Sequence, residues 1–487
     1  MIHIKIIHRI LGVLLLIESG ILLLCALLPI FYNEDDLFGF IMASLLTACS
    51  GLAFMIIGKS ARHNEGAMTR RDGYIIVVTS WILFSIFGSL PYYVSRYIPN
   101  FTDAFFETIS GFTTTGATIL DDIESMPHGL LFWRSLTQWI GGLGIVFFTV
   151  AVLPIFGVGE VQLFAAEAIG PTHGKLHPRI SVSGRWIITV YLLLTVLCAI
   201  ALRFCGMGIF DSVNHALCTA ATGGFSTKNA SVAFFNSHSI EYVITIFMFL
   251  SGINYGLLFF VAFKWKLRRL MEDTEFKWYL GITLLFTFIV AVSLYISTPY
   301  DGPAALRNAL FHVTAIITTT GFTTTDYTTW PPFIWMLLGL GMYFGACAGS
   351  TSGGMKSIRI AILFKSMRNE FNRILHPNAV LPVRVTGKVV SGATKQSVLT
   401  FSVFFFALVF LGWFFYLAIG IDIAEAYGIS LACLSNIGLT IGDHGCNIPW
   451  SDMPTIGKWF SALLMLVGRL EVFSVLLLLT PSFWKRR

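Results

Sequence analysis

Gly111-Phe112-Thr113-Thr114-Thr115-Gly116 returns in altered form three times further along the chain. The copies are Thr219-Ala220-Ala221-Thr222-Gly223, Thr318-Thr319-Thr320-Gly321 and, most changed, Ser435-Asn436-Ile437-Gly438. Aligned on Gly116, Gly223, Gly321 and Gly438, the copies are spaced by 107, 98 and 117 residues. Each sits between two long apolar segments. Four short threonine/glycine loops, each carried by a membrane hairpin, can set rings of backbone carbonyls around one axis. A cation there exchanges its water for protein oxygens. The chain therefore reads as its own tetramer.

The composition agrees. Of 487 residues, 55% are hydrophobic and 12% charged, where soluble domains carry about a quarter charged residues. Runs such as Leu11 to Ile30, Trp81 to Leu90, Ile187 to Ala201, Phe401 to Ile419 and Phe460 to Thr480 suit membrane helices or their cores. The net charge of +6 is carried in alternate loops, among them Lys5 and Arg9, Lys59 and Arg62, Lys175 and Arg179, Lys264 to Arg269, Lys356 to Arg373, and Lys485 to Arg487. The positive-inside rule makes these loops and both termini cytoplasmic and the threonine/glycine loops external. No basic domain stands apart from the spans, which excludes nucleic-acid binding. The first apolar run contains Glu18 and lacks a small-residue cleavage site, so it reads as an uncleaved helix. The eight cysteines are scattered, with no metal-type pair and no disulfide framework.

The expected fold class is an all-α polytopic membrane protein. Two leading helices (about 6–30 and 37–58) precede four repeats, each with a first helix, a short pore helix, a loop and a second helix. The pore helices are expected at 103–112, 211–220, 303–317 and 424–435, and the second helices at 130–154, 240–263, 332–365 and 456–480. Domain boundaries follow at 1–60, 61–160, 161–270, 271–390 and 391–487, with ten spans in all. Asp103, Glu107 and Asp211 read as caps of pore helices. Each pore helix would aim the negative end of its dipole at the membrane interior, favouring a cation there. Irregular backbone at that depth is tolerated only in protein or beside a wet cavity.

Candidate ion ligands are Thr114, Thr115, Gly116, Thr222, Gly223, Thr319, Thr320, Gly321, Asn436, Ile437 and Gly438. For any one glycine, tight helix packing is the competing explanation; the fourfold placement favours the loop role. His215, His312 and His444 have no metal-like spacing and read as structural. Gln138 and Asn254 read as interhelical hydrogen-bonding residues, and Arg134 as snorkelling or supporting a pore helix. Four glycines within ten residues, Gly345, Gly349, Gly353 and Gly354, cannot make a comfortable helix at about 1 kcal/mol each. An unwound loop is expected there. Arg469 falls mid-span, too deep to snorkel, and the free carbonyls of 345–354 are its expected partner, with Glu471 facing elsewhere.

Together with Gln138-Trp139-Ile140-Gly141-Gly142-Leu143-Gly144 and Gly468-Arg469-Leu470-Glu471, the loop sequences resemble the Trk/Ktr/HKT superfamily of potassium transporters over essentially the whole chain. The two leading helices resemble its Trk branch. The resemblance implies a transported potassium ion, no organic cofactor in this chain, a homodimer in a bacterial inner membrane, and control by a cytosolic TrkA-like ring that binds NAD or ATP. It also makes 345–354 an intramembrane gate; the depth of Arg469 and the unpaired backbone of that loop make Arg469 its expected tether and an electrostatic barrier to cations. Many Trk relatives have proline after the fourth loop glycine, where this chain has Leu439. Glycine in all four loops resembles the potassium-selective pattern. Coupling of potassium to sodium or proton entry is the alternative, with Glu18 among the few acidic candidates. An enzyme would need a catalytic cluster, and Asp121-Asp122 stands without a second one.

Overall fold

The computed structural model describes residues 2–59, 69–151, 180–441 and 450–485. Residues 152–154, expected to end a second helix, and Gly442, His444 and Cys446 lie outside that set, as do Arg62, Lys175, Arg179, Arg486 and Arg487.

Two leading helices, Ile4–Cys25 (continued by Leu27–Tyr32) and Leu37–Gly58, pack along one another. Small residues allow it: a Cβ on Gly12 would lie 2.7 Å from the Gly51 carbonyl oxygen. The Ser19 and Ser44 hydroxyls donate to each other's backbone carbonyls at 2.9 Å. In a bilayer, where apolar burial separates no helix from lipid, close packing and such bonds hold helices together.

Four repeats follow. Their first helices are Arg70–Gly88, Ile180–Phe204, Thr274–Ser297 and Gly392–Ala418. Their pore helices are Phe101–Phe112, Ile209–Ala221, Gly302–Ile317 and Ile423–Ser435. Among the described residues, six helices are long and apolar enough to cross a membrane, or eight counting two bent pairs. The other two of the ten expected positions are held by His128–Ala151 and by Pro332–Met342 with Ser357–Leu375.

The second helices depart from expectation. Only the third was expected to be interrupted, and all four are. His128–Ala151 leaves helical geometry at Gly144 (φ 50, ψ −140). In repeat two, His238–Ser251 and Tyr255–Lys264 meet at 107°, and in repeat four Thr455–Arg469 and Phe473–Leu479 meet at 117°. In repeat three, residues between Met342 and Ser357 form a loop whose ends pair as two short parallel strands, Phe344–Gly345 with Met355–Lys356. The break in repeat two has a clear cause. Asn254 Oδ1 accepts from the Gly256 amide at 2.8 Å and so caps a new helix. The freed Gly252 carbonyl and Tyr255 amide bond Cys347 and Gly349 of the repeat-three loop at 3.0 and 3.1 Å. One broken helix thus satisfies the backbone of the other.

The expected caps also need correction. Asn100, not Asp103, caps the first pore helix, accepting from the Thr102 amide at 2.9 Å. Asp103 lies in the first turn and pairs with Lys458 at 2.6 Å. Asp211 likewise lies inside its helix and accepts from the Thr227 hydroxyl at 2.6 Å. Glu107 is buried mid-helix. The helices start earlier than the carboxylates, because the residue before the first turn must be extended, as Asn100 is (φ −93, ψ 123).

Candidate ion-conducting site

Each pore helix ends in the same local geometry. The amides of Thr114, Thr222, Thr319 and Asn436 bond the carbonyls of Gly111, Thr219, Ile316 and Cys433. The next amides, of Thr115, Gly223, Thr320 and Ile437, bond Ser110, Cys218, Ala315 and Ala432. Thr114, Thr222, Thr319 and Asn436 are left-handed, with φ between 53° and 59°. Two residues later come Gly116, Gly224, Gly321 and Gly438.

This settles the register. In repeat two the structural equivalent of Gly116 is Gly224, not Gly223. Gly116, Gly224 and Gly321 share φ values of 86°, 80° and 81°. Gly223 matches Thr115, Thr320 and Ile437 instead. With two adjacent glycines, sequence matching chose the wrong one.

The four loops close a ring. A Cβ on Gly116 would overlap the Gly223 carbonyl oxygen, and one on Gly224 the Thr320 carbonyl oxygen. A Cβ on Gly321 would lie 3.3 Å from the Gly438 amide, and one on Gly438 would lie 2.6 Å from the Gly116 carbonyl oxygen. Each repeat touches the next, and the fourth returns to the first. Thr114 Oγ1 and Asn436 Oδ1 are buried oxygens with no hydrogen-bond partner.

Against this ring lies the repeat-three loop. Thr319 Oγ1 accepts from the Gly353 amide at 2.7 Å, and the Thr222 hydroxyl meets that of Thr351 at 3.2 Å. A Cβ on Gly353 would lie 2.9 Å from that of Asn436. Gly349 and Gly354 are left-handed (φ 78° and 64°), whereas Gly345 and Gly353 are not. Gly345 serves close approach, since a Cβ there would lie 2.5 Å from the Gly353 carbonyl oxygen. Arg469 reaches the loop: its Nη1 donates to the Thr351 carbonyl at 2.7 Å and its Nη2 to the Gly141 carbonyl at 2.6 Å. Arg469 is the last residue of its helix, not the middle of a continuous one. Glu471 pairs with Arg359.

A family profile described as a cation transport protein, TrkH, matches residues 47–486. The chain belongs to the TrkH family. A relative from Salmonella typhimurium, named Trk system potassium uptake protein TrkH, is 38% identical over 99% of this chain and 100% of its own length. A TrkG protein of that system from Escherichia coli is 34% identical over 99% of both chains. The crystal structure of the potassium transporter TrkH from Vibrio parahaemolyticus superposes with a TM-score of 0.88 at 34% identity, covering 99% of this chain and all of that one. The family is one of membrane transport proteins, not enzymes.

Within this TrkH-family chain, sequence reasoning offered a supporting role for Arg134 but missed its partner Glu107 and the brace at Tyr327. Glu107 accepts from the Thr118 hydroxyl and the Ile119 amide at 2.9 Å each, and from Arg134 Nε at 2.5 Å. Arg134 also donates to the Ser226 carbonyl at 2.8 Å and stacks 3.6 Å from the Phe225 ring centroid. It is buried, so it supports the loops rather than snorkelling. Tyr327 donates to the Thr440 carbonyl at 2.8 Å, beside Leu439. Asn254 Nδ2 donates to the Ala348 carbonyl at 2.6 Å. The histidines are placed structurally: Nδ1 of His215 and of His312 donates to the Asp211 and Asn308 carbonyls at 2.8 and 3.0 Å. Among the described residues no His, Cys, Asp and Glu group could hold a metal ion. The signal for the Glu107–Arg134 brace was present: two opposite charges in apolar helices, each needing a partner.

Proposed function

We propose that this protein takes up potassium across a bacterial inner membrane through a gated pore. The four loops are its selectivity filter and residues 345–354 its gate. The ring closure at Gly116, Gly224, Gly321 and Gly438 carries the reading, since it brings four stretches of irregular backbone to one place. Pore helices ending at that ring add the negative ends of their dipoles. The unpartnered Thr114 Oγ1 and Asn436 Oδ1 suit a cation that has given up its water.

In this account Thr114, Thr222, Thr319 and Asn436 with the residues after them, Thr115, Gly223, Thr320 and Ile437, supply the oxygens, and the glycines let neighbouring loops approach. The 345–354 loop, held against the filter by Thr319 and Thr222, blocks the path. Arg469 tethers it and adds a positive charge that opposes cations. The termini and the basic loops face the cytoplasm, where a nucleotide-binding ring acts on the gate of each subunit of a homodimer. The relatives named as potassium uptake proteins support potassium as the cargo.

Expression in a bacterial strain stripped of its potassium uptake systems tests the reading. Growth at low external potassium should be restored, and no growth with the chain present in the membrane would contradict it.

A further inference from the structure

Three of the four loops are held at their second position, or at the residue before it, by their own side chains. In repeats one and three the Thr113 and Thr115 hydroxyls, and the Thr318 and Thr320 hydroxyls, bond at 2.8 Å. In repeat four Asn436 Nδ2 donates to Thr115 Oγ1 at 3.1 Å and to the Met465 carbonyl at 2.8 Å, holding the residue before Ile437. Repeat two has no side chain at its second or third position, and the hydroxyl of its first, Thr222, turns to the Ala221 carbonyl and to Thr351 instead. Its second and third positions are Gly223 and Gly224, the pair with the greatest backbone freedom.

Gln138, from the second helix of repeat one, fills the vacancy. Its Nε2 donates to the Gly223 carbonyl at 2.6 Å, and its Oε1 accepts from the Phe225 amide at 3.1 Å. One amide thus clips the backbone on both sides of Gly224. Gln138 is fully buried. A Cβ on Gly223 would overlap the Gln138 side chain, so the glycine and the glutamine require each other. A carbonyl oxygen has two lone pairs, and Gln138 occupies one on Gly223.

We infer that Gln138 is a selectivity-determining residue, positioning the repeat-two quadrant of the filter from outside it. The inference rests on the proposed filter. In the size-fit account of selectivity, a ring of oxygens discriminates against sodium by resisting closure around the smaller ion. Three quadrants resist through their own hydrogen bonds. The fourth, two glycines long, resists through Gln138.

The test is rubidium uptake into proteoliposomes with potassium or sodium as competitor, comparing wild type with Gln138→Met, which keeps length and loses both bonds. Gln138→Asn, too short for both contacts, is the second variant if the first does not fold. Ser44→Ala removes a buried hydrogen bond in the leading helix pair and controls for general destabilisation. The preference for potassium over sodium should fall about tenfold in the Gln138 variants, the equivalent of one buried hydrogen bond, and stay unchanged in Ser44→Ala. Undiminished preference in folded Gln138→Met or Gln138→Asn would overturn the inference and leave the filter standing. A wild type that does not distinguish the two ions would instead sink the filter reading itself.

Discussion

The Arg469 guanidinium donates to the Thr351 carbonyl at 2.7 Å, tying the break in the last repeat to the loop lying against the ring of glycines. The same side chain reaches the Gly141 carbonyl of repeat one. Three repeats therefore meet at one charge. Arg469→Ala should loosen the loop and remove a charge that opposes cations by about 2 kcal/mol at ~8 Å and an effective dielectric near 20. Rubidium flux through the purified protein should rise by about tenfold or more. Unchanged or lower flux in folded protein would count against the gate.

The corrected register makes a separate prediction. Alanine at Gly224 meets both a left-handed φ of 80° and the Thr320 carbonyl. Alanine at Gly321 meets the same strain (φ 81°) with its nearest neighbour 3.3 Å away. Gly224→Ala should therefore cut uptake about tenfold more than Gly321→Ala. Equal losses would show that crowding at the ring does not matter.

The Arg134–Glu107 pair is buried at both ends, with side-chain exposures of 2% and 0%. Removing one partner strands a charge, at a cost of about 3–5 kcal/mol. Arg134→Met should lower the melting temperature in detergent sharply, and Arg134→Met with Glu107→Gln should recover much of the loss. A double variant no better than the single one would mean that Arg134 acts through Ser226 and Phe225 alone.

A pH effect is expected at the loop between the two leading helices. Glu34 accepts from the His128 amide and pairs with its ring at 2.8 and 2.6 Å, docking the loop on the start of that helix. Neighbouring Asp36 is pushed up to about 6, first by burial and then by Glu34 and Asp35. A carboxyl raised above its ordinary value favours the folded state while protonated, and loses that contribution as pH rises through about 6. Asp36→Asn should raise the melting temperature at pH 8 and leave it nearly unchanged at pH 3, below the ordinary carboxyl value of 3.8. The opposite pattern would mean that the Asp36 carboxylate has a stabilising partner.

The loops were legible because repetition exposed them: Thr-Thr-Thr-Gly at 113–116 and 318–321 needs no structure to be noticed. The register of repeat two was not, because Gly223 and Gly224 are both glycine and only the hydrogen-bond pattern separates them. The depth of Arg469 was legible as a charge within an apolar run. The breaks in repeats two and four were hidden, since Ser251-Gly252-Ile253-Asn254 and Leu470-Glu471-Val472 carry no proline or glycine cluster. The break in repeat two exists because tertiary partners, the Cys347 and Gly349 backbone, take up the freed groups. Val472 even adopts φ 58°, unusual for a β-branched residue. Gln138 was noticed as polar, but its target lies 85 residues away.

The central claim, a potassium-selective pore built by one chain, is tested most directly by rubidium uptake into proteoliposomes holding the purified protein alone, with potassium, sodium or lithium as competitor. Uptake blocked by potassium and not by sodium or lithium is the result this account predicts, with Arg469→Ala used to open the gate if the wild type is closed. Equal block by all three ions, or no uptake even with Arg469→Ala, would contradict it.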